Sequence, residues 1–139
     1  MKIAVLTVSD TRTAETDTSG SALQTMIEAA GHQVVARDIV RDNIYAIRAI
    51  VSKWIFDEDV QAVITTGGTG FTGRDSTPEA LIPLFDKQMD GFGELFRQLS
   101  YDDIGTSTIQ SRAVGGLANA TVIFALPGST GAVRLGWEK

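Results

Sequence analysis

The sequence predicts a single α/β domain, residues 1–139, built on a mostly parallel, mixed sheet, and three observations carry that prediction. Short apolar, β-branched runs at residues 3–8, 34–40 and 62–64 alternate with stretches of helical periodicity, the pattern of repeated strand–helix crossovers that builds a parallel sheet. The loops leaving those three runs gather Ser, Thr, Asp and Gly. Two later runs, 109–117 and 121–126, meet around Asn119-Ala120 as a hairpin, so the sheet cannot be purely parallel.

The first strand, Ile3-Ala4-Val5-Leu6-Thr7-Val8, empties into Ser9-Asp10-Thr11-Arg12-Thr13 at its carboxyl end, the side on which open α/β sheets bind ligands. Asp17-Thr18-Ser19-Gly20 offers helix caps, and Leu23, Met26, Ile27 and Ala30 then recur at helical spacing until Gly31 ends the helix. That spacing predicts core packing. His32 is the only histidine and follows the helix end, where a surface position is expected and a zinc site is not. After the second strand, Asp42 or Asn43 caps a helix with Ile44, Ile47, Val51, Trp54 and Ile55 on one face.

The third strand leads into Thr66-Gly67-Gly68-Thr69-Gly70-Phe71-Thr72-Gly73-Arg74-Asp75, a loop too rich in glycine for packing alone to explain. Glycine adopts positive φ and lets backbone N–H groups approach an anion, so the loop reads as a phosphate-handling corner. Thr77-Pro78-Glu79 closes it, with Thr77 expected as N-cap. Two familiar motifs nearly fit. Gly68 to Gly73 satisfies G-x-G-x-x-G, but Arg74 to Thr77 intervene before a helix opens, and no acidic residue closes a second strand about 20 residues on. A Walker A loop needs Lys-Ser/Thr next and meets Arg74-Asp75. An aspartate beside phosphates is repulsive unless a divalent cation bridges them, which points to a metal-assisted nucleotide.

Pro83 breaks the helix opened at Thr77. Phe92, Leu95, Phe96 and Leu99 mark another amphipathic helix, expected to end at the polar Tyr101-Asp102-Asp103 cluster. The final strand stops at Pro127-Gly128-Ser129-Thr130, a second turn suited to an anion, and residues 132–139 allow only about two helical turns, so the last helix reads as incomplete. With right-handed crossovers, Ser9-Asp10, Asp42 and the 67–75 loop fall on one sheet edge. Helix capping alone would account for Asp42, and a solvated side chain for Arg74.

Composition narrows the function classes. No cysteine means no disulfide, thiolate metal site or cysteine nucleophile, in keeping with a reducing cytoplasm. Seventeen acidic against twelve basic residues, with a pI near 4.7 and no basic stripe, argue against nucleic acid. No apolar run reaches about 18 residues, so neither a membrane span nor a leader is expected.

Thr7-Val8-Ser9-Asp10, Asp17-Thr18-Ser19-Gly20, Thr66-Gly67-Gly68-Thr69-Gly70, Arg74-Asp75-Ser76-Thr77-Pro78-Glu79-Ala80, Gly91-Phe92-Gly93-Glu94, Ser111-Arg112 and Leu126-Pro127-Gly128-Ser129 together resemble the MoaB/MogA family of molybdenum cofactor biosynthesis, and the stretches Val40-Arg41-Asp42-Asn43 to Trp54 and Gly105-Thr106-Ser107-Thr108-Ile109-Gln110-Ser111-Arg112 look most like its MoaB branch. The resemblance spans essentially the whole chain. It implies a three-layer α/β/α domain, assembled as a trimer or a hexamer of two trimers, that binds molybdopterin and works beside other proteins of that pathway. It also implies that the terminal phosphate of molybdopterin is adenylylated with Mg·ATP and pyrophosphate released.

Two aspartates of the family match Asp42 and Asp75, implied to be catalytic and to hold Mg²⁺. The turns Gly67-Gly68-Thr69-Gly70 and Pro127-Gly128-Ser129 would bind the two anions, and Arg74 would neutralise the leaving pyrophosphate. Ser9, Asp10, Glu79 and Arg112 join the substrate set by loop position and resemblance. Family chains continue beyond this C-terminus with a full helix and tail. Two other readings stay open: a pterin carrier or scaffold without turnover, and a nicotinamide enzyme using Gly68, Gly70 and Gly73.

Overall fold

A computed structural model describes residues 1–10, 13, 15–68, 76–104 and 112–127, with the backbone alone for 100–104. The predicted strands form where apolar and β-branched residues can be covered on both sides. They are β1 (Lys2–Val8), β2 (Gln33–Val40) and β3 (Ala62–Thr66), joined later by β4 (Lys87–Gln88), β5 (Val114–Ala118) and β6 (Thr121–Leu126). The sheet order is β2-β1-β3-β6-β5-β4. β2, β1, β3 and β6 run parallel, whereas β5 and β4 are antiparallel additions, so the sheet is mixed as expected.

Among the described residues, four helices supply the outer layers: α1 (Thr18–Ala29), α2 (Ile44–Phe56), α3 (Thr77–Leu81) and α4 (Asp90–Ile104). Ala4, Leu6, Val8, Val63 and Ile123 pack with Ile47, Val51 and Trp54 of α2 and with Ala80 and Leu81 of α3. Ile3, Val5, Ala62 and Ile64 meet Leu23 and Ile27 of α1 and Phe96 of α4 on the opposite face. Alternate residues of β1 thus feed two cores, which is why this strand shows no polar alternation. The result is the three-layer α/β/α arrangement.

Several details depart from the sequence reading. Leu95 is 52% exposed, because it lies about 60° around the helix from the stripe made by Phe92, Phe96 and Leu99. Ala30 caps the end of α1 and is exposed rather than buried. β5 begins at Val114, not at residue 109; positions 109–111 lie outside the described residues, as does the expected last helix at 132–139. α4 continues past the Tyr101-Asp102-Asp103 cluster to Ile104. β4 was not foreseen, since two exposed polar residues carry no pattern; it exists through pairing with Gly116 and Leu117. The hairpin forms at Asn119-Ala120 as predicted, with φ of +49° and +64°, the conformation of a type I′ turn.

Candidate functional site

The parallel strands all end on one edge, at Val8, Val40, Thr66 and Leu126. From β1 the chain crosses to β2 on one side, and β3 then returns to the other, so the strand order reverses between β1 and β3. Crevices of open α/β sheets form at such a reversal. Ser9 closes one side by donating its N–H to the Val40 carbonyl. Gly67 and Gly68 close the other with φ of +102° and +69°. A Cβ on Gly67 would sit 2.2 Å from the Val8 carbonyl oxygen, so glycine is required both by conformation and by the approach of β1. The Gly67 N–H is spent on the Leu126 carbonyl, and this residue serves the edge through its shape.

Thr77 does not cap α3. Its hydroxyl donates to the Gly67 carbonyl and its N–H to the Gly68 carbonyl, while Ser76 occupies the cap position without a side-chain bond to the helix. The two glycines are thereby strapped to the start of α3. On the far side of the edge, Thr66 Oγ1 donates to the Pro127 carbonyl, joining the ends of β3 and β6.

Three loops meet through Asp42. Asn43, not Asp42, caps α2: its side-chain oxygen accepts from the N–H groups of Tyr45 and Ala46. Asp42 is therefore released from that duty. Its N–H donates to Asp10 Oδ1 at 3.1 Å, and its own Oδ1 accepts from both the N–H and the hydroxyl of Ser76. Asp10, Asp42 and Ser76 leave β1, β2 and the glycine loop respectively, so the expected convergence is present. Nothing else bonds to the second oxygen of Asp42 among the described residues. Thr69, Gly70, Arg74, Asp75, Gly128 and Ser129 lie outside them.

A cavity of about 380 Å³ lies between α3, α4 and the start of β5, and its wall includes Glu79, Met89, Arg97 and Arg112. Glu79 and Arg112 form an ion pair on that wall. Arg48 of α2 binds the carbonyls of Glu79 and Ala80, holding α3 against α2. Arg97 was not singled out from sequence, where it is one charge on an amphipathic helix; Gly93 four residues earlier leaves the space its guanidinium needs.

Asp17 is the second residue whose importance the sequence understated. It caps α1 through Gly20 N–H as predicted, but it is also buried, accepting from Thr7 Oγ1 at 2.6 Å and from the Arg37 guanidinium at 3.0 Å. Burial pushes its carboxyl up, yet the Thr7, Arg37 and Gly20 bonds and the Arg37 charge outweigh that and hold it below the ordinary 3.8. A charged residue in the middle of an apolar strand, Arg37, was the available signal, because such a charge needs a partner.

The family described as "Probable molybdopterin binding domain" matches residues 4–139. Molybdenum cofactor biosynthesis protein B of Escherichia coli K12 is 60% identical over 137 residues, covering 99% of this chain and 81% of the relative. The chain belongs to the MoaB/MogA family. A crystal structure of a molybdenum cofactor biosynthesis protein B superposes with a TM-score of 0.97 at 49% identity, covering 99% of this chain and 86% of the other. A MogA structure superposes at 0.91 with 28% identity, covering 99% and 91%. This MoaB/MogA-type domain is thus a molybdenum cofactor biosynthesis protein with a molybdopterin-binding fold. No helix among the described residues is long and apolar enough to cross a membrane.

Proposed function

We propose that this chain binds molybdopterin at the sheet edge and adenylylates its terminal phosphate with Mg·ATP, releasing pyrophosphate. The observation that carries the reading is the Asp10–Asp42–Ser76 connection, which brings three loops together beside two positive-φ glycines at the point of strand reversal. The attacking oxygen belongs to a phosphate that is already an anion, so no strong base is needed. It bonds to the α-phosphorus of ATP as the bond to the β-phosphate oxygen breaks, and the electron pair leaves on pyrophosphate. The barrier is charge repulsion and alignment, which fixed dipoles and cations lower.

The donor set fits magnesium, a hard cation that takes one or two protein carboxylates and completes its shell with phosphate oxygens and water. The second oxygen of Asp42, with Asp75 following it in the proposed site, would hold the ion, and when bound it would draw charge from the phosphates. Gly67, Gly68, Thr69 and Gly70 shape one anion subsite and Pro127, Gly128 and Ser129 the other. Arg74 would neutralise the leaving pyrophosphate. Ser9, Asp10, Glu79 and Arg112 contact the substrates. The protein acts in the cytoplasm as a trimer or hexamer, beside other proteins of the pathway.

A second reading has one observation in its favour. Asp42 already holds Ser76, so its carboxylate has a structural duty that a pterin carrier or scaffold would also need. Pyrophosphate release with molybdopterin and Mg·ATP separates the two. Release that follows added pterin and stops on chelation of magnesium supports the transferase; saturable pterin binding without release refutes it and supports the carrier. NAD binding without pterin binding would refute both in favour of a dehydrogenase.

A further inference from the structure

Helix α3 is five residues long, too short to hold itself, so its placement comes from what it is tied to. It packs against α2 through apolar side chains, Ala80 and Leu81 meeting Ile47 and Val51. Such contact is non-directional and leaves two helices free to slide or pivot. Two sets of directional bonds remove that freedom.

The first set lies at the helix starts, where Asp42 Oδ1 accepts from the N–H and the hydroxyl of Ser76. The second lies about one turn into α2, where Arg48 donates from Nε to the Ala80 carbonyl at 3.0 Å and from Nη2 to the Glu79 carbonyl at 2.9 Å. The sequence explains why the Glu79 carbonyl needs a donor. Its helical partner would be the N–H four residues on, and that residue is Pro83, which has none. Arginine suits the task because its planar fork presents two N–H donors in a fixed direction, enough for two successive carbonyls, whereas a lysine ammonium is a point charge on a flexible stem.

We propose that Arg48 is a positioning residue for the magnesium site, an inference that rests on the adenylylation reading above. A clasp at one point is a hinge, and a second clasp a turn away fixes the angle. With both in place, Ser76 holds the Asp42 carboxylate by one oxygen and the other is presented in a set direction. Without Arg48, α3 pivots about the Asp42–Ser76 contact and that second oxygen loses its aim. The same guanidinium holds the backbone of Glu79, whose carboxylate pairs with Arg112, so it also sets where that ion pair stands.

Loss of aim acts on turnover more than on binding. A carboxylate that holds the metal in the wrong place slows the in-line step, while molybdopterin, bound through the two glycine turns, still binds. An arginine with a merely structural role would instead lower stability throughout the chain and leave the rate per folded molecule unchanged.

Two variants test this. Arg48→Met keeps the apolar stem and removes both donors, and Arg48→Lys keeps the charge without the fork. In each, amide hydrogen exchange at Ser76 should quicken about tenfold or more, while the amides of Leu6 and Ile64 in the central strands exchange as in the wild type. The kcat for pyrophosphate release should fall about tenfold or more, with KM for molybdopterin within about twofold of wild type. Millimolar guanidinium should restore part of the rate to Arg48→Ala, and urea at the same concentration should not. Unchanged Ser76 exchange in either variant, exchange that quickens equally at Leu6 and Ile64, or a kcat per folded molecule that does not fall would each overturn the proposal. A wild-type chain that releases no pyrophosphate would refute the adenylylation reading by itself, and the Ser76 exchange alone would then decide whether Arg48 sets the spacing of α2 and α3.

Discussion

Replacing Asp17 tests whether the edge rests on a buried ionic anchor. Asp17→Ala removes the α1 cap, worth about 1 kcal/mol. It also leaves the Thr7 hydroxyl without its partner in the interior, a cost of about 1–3 kcal/mol. The Arg37 pair adds less than a fully buried ion pair, because Arg37 keeps 25% of its side chain in water. Together these give a loss of about 3–4 kcal/mol, read as a lower urea midpoint with the slope of the transition unchanged. Asp17→Asn keeps the shape and the cap but loses the charge, so it should cost about half as much. The carboxyl is held below its ordinary value of 3.8 in the folded chain, so its contribution is fully present above that unfolded value and fades as pH falls through the folded one. The wild-type advantage over Asp17→Asn should therefore be constant from pH 5 to 8 and shrink below about pH 4. An Asp17→Ala loss under about 1 kcal/mol at pH 7, or a wild-type–Asn difference as large at pH 3 as at pH 7, would refute the anchor.

Other substitutions probe the edge and the hairpin. Ala120 sits at φ +64° in a turn where glycine is unstrained, so Ala120→Gly should raise stability by about 0.5–1 kcal/mol in the same urea measurement; a loss would mean that the turn is not strained. Gly67→Ala meets both positive φ and the Val8 carbonyl, and should cost about 2 kcal/mol or more and lower pterin affinity together, as calorimetry would show. Asp42→Asn and Asp75→Asn should each lower pyrophosphate release on the order of 100-fold, with pterin binding retained and stability changed by less than about 1 kcal/mol for Asp75. Near-normal release from either variant would remove that residue from the proposed magnesium site.

What the sequence determined by itself was local and periodic. The strand runs of β1, β2 and β3, the inner faces of α1 and α2, the Gly31 stop and the Asn119-Ala120 turn follow from side-chain spacing and backbone freedom, both of which are written in short windows. The right-handed crossover rule even placed Ser9-Asp10, Asp42 and the glycine loop on one edge. Tertiary structure decided how the polar groups are shared. Asp42 and Asn43 are equal candidates for a cap in sequence, and only the approach of Ser76 shows that Asn43 takes the helix while Asp42 takes the loop. Thr77 resembled a cap until the Gly67 carbonyl claimed its hydroxyl. Asp17 and Arg37 lie twenty residues apart and become partners because α1 packs back over β1 and β2. β4 has no pattern of its own and is a strand only because β5 offers its hydrogen bonds. Hydrophobic periodicity is a property of one segment, but each donor and acceptor needs a partner that the fold alone brings near.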